Sequence, residues 1–185
     1  MTPSARSRRA ILFDRDGTLI QDVPYNRDPE RVIPMPAAAE AMREVKAAGV
    51  ATGVVTNQSG IGRGILSREQ VARVNLRVDE LLGPFDVWAV CPHAPDAACG
   101  CRKPQPGLIL DACAVLDVRP EDAVVIGDIA GDLEAARAAG ARAVLVPTPV
   151  TDQAEIAHAE HVAVDLAEAV RMALRMQGSR RAEHV

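Results

Sequence analysis

The chain has 185 residues, 48% hydrophobic and 25% charged, with a net charge of −4. A chain of that length buries roughly 70% of its unfolded surface in one domain and needs no covalent staples for bulk stability. Its mild acidity and few aromatic rings (Phe13, Tyr25, Phe85, Trp88) speak against a nucleic-acid binder, which needs a basic face and stacking platforms.

Short apolar runs alternate with amphipathic segments, the pattern of an α/β domain on a parallel sheet. The runs at 10–13, 50–56, 87–91, 123–127 and 142–146 predict strands covered on both faces, and HVAV at 161–164 predicts a sixth, weaker one. Helices are expected at 36–48, 67–82, 106–116, 131–139, 152–159 and 166–176. Pro36 and Gly49 bracket the first, and Ser67 with Gln70 has capping-box spacing at the second, whose apolar face would be Val71, Val74, Val78, Leu81 and Leu82. One domain is expected over 9–177, with disordered tails at 1–8 and 178–185. The segments from Asp14 to Thr56 and from Asn57 to Lys103 are too short to carry an inserted domain.

No apolar run approaches the roughly 20 residues that span a bilayer. The opening MTPSARSRR lacks the apolar stretch of a secretory signal, so the expected compartment is the cytoplasm.

The first strand leads into DRDGT, with Asp14 at its carboxyl end and Asp16 two residues on. Ligands of open parallel sheets bind at that end. A calcium loop does not fit, because counting from Asp14 puts Leu19 where glycine is required and Tyr25 where a bidentate glutamate is required. Two such carboxylates can divide the labour of phosphoryl transfer, one attacking phosphorus and the other protonating the leaving oxygen and then activating water. A carboxylate approaching a phosphate dianion needs a cation between them, and Mg²⁺ suits hard oxygen ligands. Asp128, directly after the fourth strand, completes an oxygen site, with Asp132 as a helix-start acid or supporting partner. After the second strand, TNQSGIGRG offers a hydroxyl and backbone N–H groups to phosphoryl oxygens.

Residues 91–107, CPHAPDAACGCRKPQPG, hold three of the four cysteines, a histidine and four prolines. A loop that long inside a compact domain needs a function or a pin. The residue types admit a disulfide staple, a metal site or a cluster of buried thiols; Cys113 stands apart, as a core residue on its helix.

DRDGT, TNQSG, Lys103 and GDIAGD together resemble the haloacid dehalogenase superfamily of phosphohydrolases. Cys-x-His, Cys-x-Cys and Arg-Lys-Pro within the long loop are similar to the heptose bisphosphate phosphatases and the related histidinol-phosphate phosphatases of that superfamily. The resemblance implies a capless, Rossmann-like three-layer α/β/α fold. It implies Asp14 as nucleophile, Asp16 as general acid/base, and Thr56 and Lys103 as stabilisers of the transferring phosphoryl group. Asp14, the Asp16 carbonyl and Asp128 would hold catalytic Mg²⁺, and substrate contacts would fall on Asp22, Tyr25, Asn57, Gln58, Ser59, Arg63 and Arg102. Cys91, His93, Cys99 and Cys101 would hold structural zinc as a closed Cys₃His set. Several heptose phosphatases carry lysine after the magnesium aspartate, where this chain has Ile129.

The expectation is a monomeric, Mg²⁺-dependent phosphatase of a sugar phosphate, cleaving the carbon 7 ester of a heptose 1,7-bisphosphate. Arg27, Arg31, Arg63 and Arg102, expected near the mouth, favour a second anionic group over histidinol phosphate. A zinc-stapled interaction module without turnover is the rival from another class.

Overall fold

The computed structural model describes residues 8–182. Five strands, β1 (Ala10–Phe13), β2 (Ala51–Asn57), β3 (Val87–Cys91), β4 (Ala123–Gly127) and β5 (Arg142–Leu145), form one sheet in the order β3-β2-β1-β4-β5, and every pairing is parallel. β1 lies central and has no exposed residue, so AILF reads as an uninterrupted apolar run instead of alternating.

Among the described residues there are seven α-helices, α1 (Ala38–Ala48), α2 (Ser59–Gly62), α3 (Arg68–Leu82), α4 (Gly107–Leu116), α5 (Ala130–Ala139), α6 (Gln153–His158) and α7 (Leu166–Ala182). Side chains alternate across β1, so Ile11 and Phe13 join a core with α1, α3 and α7, while Ala10 and Leu12 join a second core with α4 and α5. These are the expected three layers.

Local signals act as expected at several ends. Ser67 Oγ accepts from Gln70 N at 3.1 Å, and Gln70 Oε1 accepts from Ser67 N at 2.8 Å, which caps α3 reciprocally. Gly49, at φ 61°, ends α1 in the left-handed conformation that glycine adopts without strain. Leu81 departs from the expected apolar face of α3 and is exposed, because Leu82 takes the inward position.

Two expectations need correction. The segment 161–164 forms no strand; only Val162 bridges to Leu145, as the chain turns at once into α7. The last helix continues to Ala182, past the expected end at 176 and into the segment read as a tail. Gln177 accounts for this: it is 3% exposed, and its amide donates to Ala10 O at 2.8 Å and Asp122 O at 3.2 Å, anchoring a turn that Gly178 would otherwise weaken. Residues 1–7 and 183–185 of the expected tails lie outside the described residues.

Between β1 and α1, and between β2 and β3, the described residues hold no inserted domain. The carboxyl ends of β1, β2 and β4 are therefore left uncovered at the point where the chain leaves β1 for β2 on one side and later returns to β4 on the other. Among the described residues no helix is long and apolar enough to cross a membrane.

Candidate active site

A cleft of about 410 Å³ opens at those strand ends. Asp14 and Asp16 line it from the β1 exit, Thr56, Asn57, Gln58 and Ser59 from the β2 exit, Arg102 and Lys103 from the long loop, and Asp128 from the β4 exit. A larger groove of about 470 Å³ beside α1 and the end of α3 contains none of these groups.

Lys103 is the hub. Its Nζ donates to Asp14 Oδ1 at 2.7 Å, Asp132 Oδ1 at 2.5 Å and Val55 O at 2.8 Å, using all three of its protons. Its backbone is fixed as well: Asn57 Nδ2 donates to Lys103 O and Asn57 Oδ1 accepts from Lys103 N, both at 3.1 Å. Burial opposes the ammonium charge, but Asp132 and Asp14 outweigh it and raise the Lys103 pKa above its usual value. Burial pushes Asp14 up to about 8 against the pull of Lys103, with repulsion from Asp132, Asp16 and Asp128 adding to the rise. Asp128 is pushed up to about 7, by burial first and then by Asp132.

Such shifts mark a site short of positive charge. Oxygen atoms of Asp14, Asp128 and Asp132 lie within 4.8 Å of one another, and Lys103 is the one ammonium among them, leaving two excess negative charges. Asp16 stands outside this count, its charge offset locally by Arg15 at 3.0 Å although it still repels Asp14. A divalent cation with oxygen preference fits that imbalance. The backbone makes room for the ligands: Gly17 has φ +83°, and a Cβ there would collide with the Asp128 side chain. Thr18 Oγ1 donates to Asp128 Oδ1 at 3.3 Å and orients that carboxylate, while Thr151 Oγ1 donates to the Asp128 backbone carbonyl at 2.9 Å and fixes the turn that carries it.

The remaining sequence candidates divide into two groups. Asp22, Tyr25, Ser59 and Arg102 line the cleft, and Arg102 Nη1 is buried without a hydrogen-bond partner. Arg63 reaches the rim by donating to Tyr25 Oη at 2.9 Å, whereas Arg27 and Arg31 are exposed and do not line the cleft. Asn57 and Gln58 have their side-chain amides engaged inside the protein: Asn57 on Lys103, and Gln58 on Asp16 Oδ2 at 2.8 Å and Thr56 Oγ1 at 2.9 Å. Sequence reasoning passed over Arg15 and Asn75, which the fold joins to this network. The clue was an arginine inside a central-strand exit, where an unpaired charge is costly.

Beside the cleft, Cys91 Sγ, His93 Nδ1, Cys99 Sγ and Cys101 Sγ converge, and all four cysteines of the chain are free thiols. Their mutual distances of 3.2, 3.5, 3.6 and 3.8 Å approximate the edges of a coordination tetrahedron, about 3.8 Å for sulfur ligands on zinc. Burial and the neighbouring sulfurs push the Cys101 thiol up to about 12, and the converging sulfur and nitrogen ligands could hold a zinc ion. Cys113 is buried in the α4 face of the second core, as expected.

A HAD-hydrolase-like family model matches residues 100–170. The chain is 37% identical over 147 residues to the D-glycero-β-D-manno-heptose-1,7-bisphosphate 7-phosphatase of Pseudomonas aeruginosa, covering 77% of this chain and 83% of that one. It is 40% identical over 151 residues to the protein of the same name from Rhodopseudomonas palustris, covering 76% and 84%. Its fold is similar to a D,D-heptose 1,7-bisphosphate phosphatase from B. bronchiseptica solved with magnesium and phosphate, with a TM-score of 0.79 and 29% identity over 90% of this chain and 98% of the other.

Proposed function

The chain belongs to the D-glycero-β-D-manno-heptose-1,7-bisphosphate 7-phosphatase family of haloacid dehalogenase-like hydrolases, and from this we propose that it removes the carbon 7 phosphate of a heptose 1,7-bisphosphate. The observation that carries the chemistry is Asp14 held by Lys103 within an acidic cluster short of two positive charges, at the open end of the sheet. An interaction module has no use for so costly a group of buried carboxylates.

In this reading an Asp14 carboxylate oxygen attacks phosphorus, and the bond from phosphorus to the sugar oxygen breaks. Asp16 gives its proton to that oxygen, leaving an acyl phosphate on Asp14. Asp16, now a carboxylate, takes a proton from water as the water oxygen attacks phosphorus, and Asp14 is freed with inorganic phosphate. Thr56 accepts from Gln58, so its own hydroxyl hydrogen is free for a phosphoryl oxygen. Lys103 fixes the Asp14 oxygen and sets a positive charge beside the transferring group. Asp14, the Asp16 carbonyl and Asp128 would hold Mg²⁺, which would supply the charge neutralisation that an attacking carboxylate and a phosphate dianion need. Cys91, His93, Cys99 and Cys101 would hold Zn²⁺ as a closed structural set, which would tie down the loop that carries Arg102 and Lys103.

The buried, unpartnered Arg102 Nη1 supports a second anion at the mouth, since a guanidinium fork holds phosphate bidentately. The slim primary ester enters the cleft and the anomeric phosphate stays outside against Arg102. Phosphorus NMR of the bisphosphate under turnover tests this: the carbon 7 resonance should vanish first, and earlier loss of the carbon 1 resonance overturns the assignment.

A further inference from the structure

Arg15, between the two reactive aspartates, is 2% exposed. Its Nη1 donates to Asn75 Oδ1 of α3 at 2.6 Å. Its Nη2 donates to Asp16 Oδ1 at 3.1 Å and Oδ2 at 3.0 Å, and its Nε donates to Oδ1 at 3.2 Å. Gln58 approaches Oδ2 from the other side and continues to Thr56. A continuous hydrogen-bonded chain thus runs from α3 through Asn75, Arg15, Asp16 and Gln58 to Thr56.

Asp16 follows the strand end and precedes the left-handed Gly17, and its side chain is 23% exposed, so the backbone alone leaves the carboxyl rotatable. An acid/base must stand within hydrogen-bond reach of the atom it serves, and a misplaced one loses most of its effect. Arg15 is suited to prevent that rotation: a planar fork grips both carboxylate oxygens, which a lysine cannot do. Asn75 sits on α3 between Val74 and Val78, both buried in the core, so the anchor is as rigid as the helix that carries it.

We propose that Arg15, anchored by Asn75, is the positioning residue that fixes the Asp16 carboxyl beside the phosphoryl pocket; the inference rests on the phosphatase reading with Asp16 as acid/base. In the first step the phosphorus–oxygen bond to the leaving group breaks as the Asp14–phosphorus bond forms, and the Asp16 proton moves to the leaving oxygen. A sugar alkoxide depends on that proton. A 4-nitrophenolate leaves without it. Loss of the clamp therefore damages alkyl esters selectively, an effect that a general loosening of the fold would not produce.

The test compares kcat/KM, which reports this first step, for the heptose bisphosphate and for 4-nitrophenyl phosphate. Asp16→Asn calibrates it, with an expected loss of ~10²-fold or more on the sugar ester and a much smaller loss on the aryl ester. Asn75→Leu keeps the size and removes the acceptor; it should lose about 10-fold on the sugar ester and less than about 3-fold on the aryl ester. Asn75→Asp keeps an acceptor for Arg15 and should stay within about 3-fold of the parent on both. Arg15→Lys should follow Asn75→Leu, and because Arg15 is buried, the Asn75 pair carries the test if Arg15→Lys does not fold. Equal losses on both esters in Asn75→Leu, with Asp16→Asn selective, overturn the positioning role alone. A non-selective Asp16→Asn removes the acid assignment and the proposal with it, whereas absence of sugar-ester hydrolysis by the parent chain overturns the function itself.

Discussion

The acidic cluster and the Cys/His loop both crowd ligand atoms together, and they do so by opposite means. Lys103 and Asp14 are 89 positions apart and meet because parallel strands end on one side of the sheet. Cys91 and Cys101 are 10 positions apart and meet within one loop. The first site is framed by β1, β2 and β4, each packed on both faces, so its unfavourable charges are supported by the whole core. The second has only its loop and the end of β3, with His93 exposed, so far less of the core supports it and a bound ion would be its main brace. A catalytic site must keep a position open to substrate and so relies on the fold for rigidity; a structural site can close around its metal.

The deepest cut between the two regions is Asp14→Asn, which keeps the shape and removes the attacking charge. Turnover should fall by ~10³-fold or more, a barrier increase of about 4 kcal/mol, with zinc content unchanged by elemental analysis. Retention of more than about a tenth of the activity would falsify covalent catalysis through Asp14.

Lys103→Met strips two buried carboxylates of their partner at once. Stability should drop by roughly 3–5 kcal/mol in urea unfolding. A drop below about 1 kcal/mol would mean that the cluster carries no such imbalance.

Gly17→Ala probes the cradle of the proposed Mg²⁺ site, since the new methyl would collide with Asp128. Activity titrated against Mg²⁺ should show about 10- to 100-fold weaker apparent affinity, with zinc retained. An unchanged titration would detach Asp128 from metal binding.

Cys99→Ser opens the closed set and tests whether the two regions communicate. Zinc should be lost and kcat/KM should fall about 10-fold through Arg102 and Lys103, while the far-ultraviolet circular dichroism of the sheet and helices persists. Full activity in a zinc-free variant would leave the loop a staple with no bearing on catalysis. Mild chelation should separate the metals in the parent protein, abolishing activity until Mg²⁺ is returned while zinc stays bound.

How far each feature can be read from the chain follows the same division. Strand positions and the boundaries of α1 and α3 are legible because apolar period, Gly49 and the Ser67–Gln70 pair act within a few residues. The Cys/His cluster is legible as a cluster for the same reason, its members lying within one loop, but its reading as a closed Cys₃His set needed the family resemblance as well. The extent of α7 is not, because Gln177 is held by Ala10 and Asp122, backbone groups remote in sequence.

By itself, then, the amino-acid order determined that an α/β sheet would form, that Asp14, Asp16 and Asp128 would follow strands, and that a cysteine-rich loop would precede Lys103. Tertiary structure alone decided the partners. It set Lys103 between Asp14 and Asp132, closed Asn57 on the Lys103 backbone, turned Gln58 inward to Asp16 and Thr56, and tied Arg15 to Asn75. Hydrophobic pattern and turn chemistry are local properties, whereas the pairing of buried charges depends on which strand ends become neighbours, and that is settled only when the sheet assembles in the order β3-β2-β1-β4-β5.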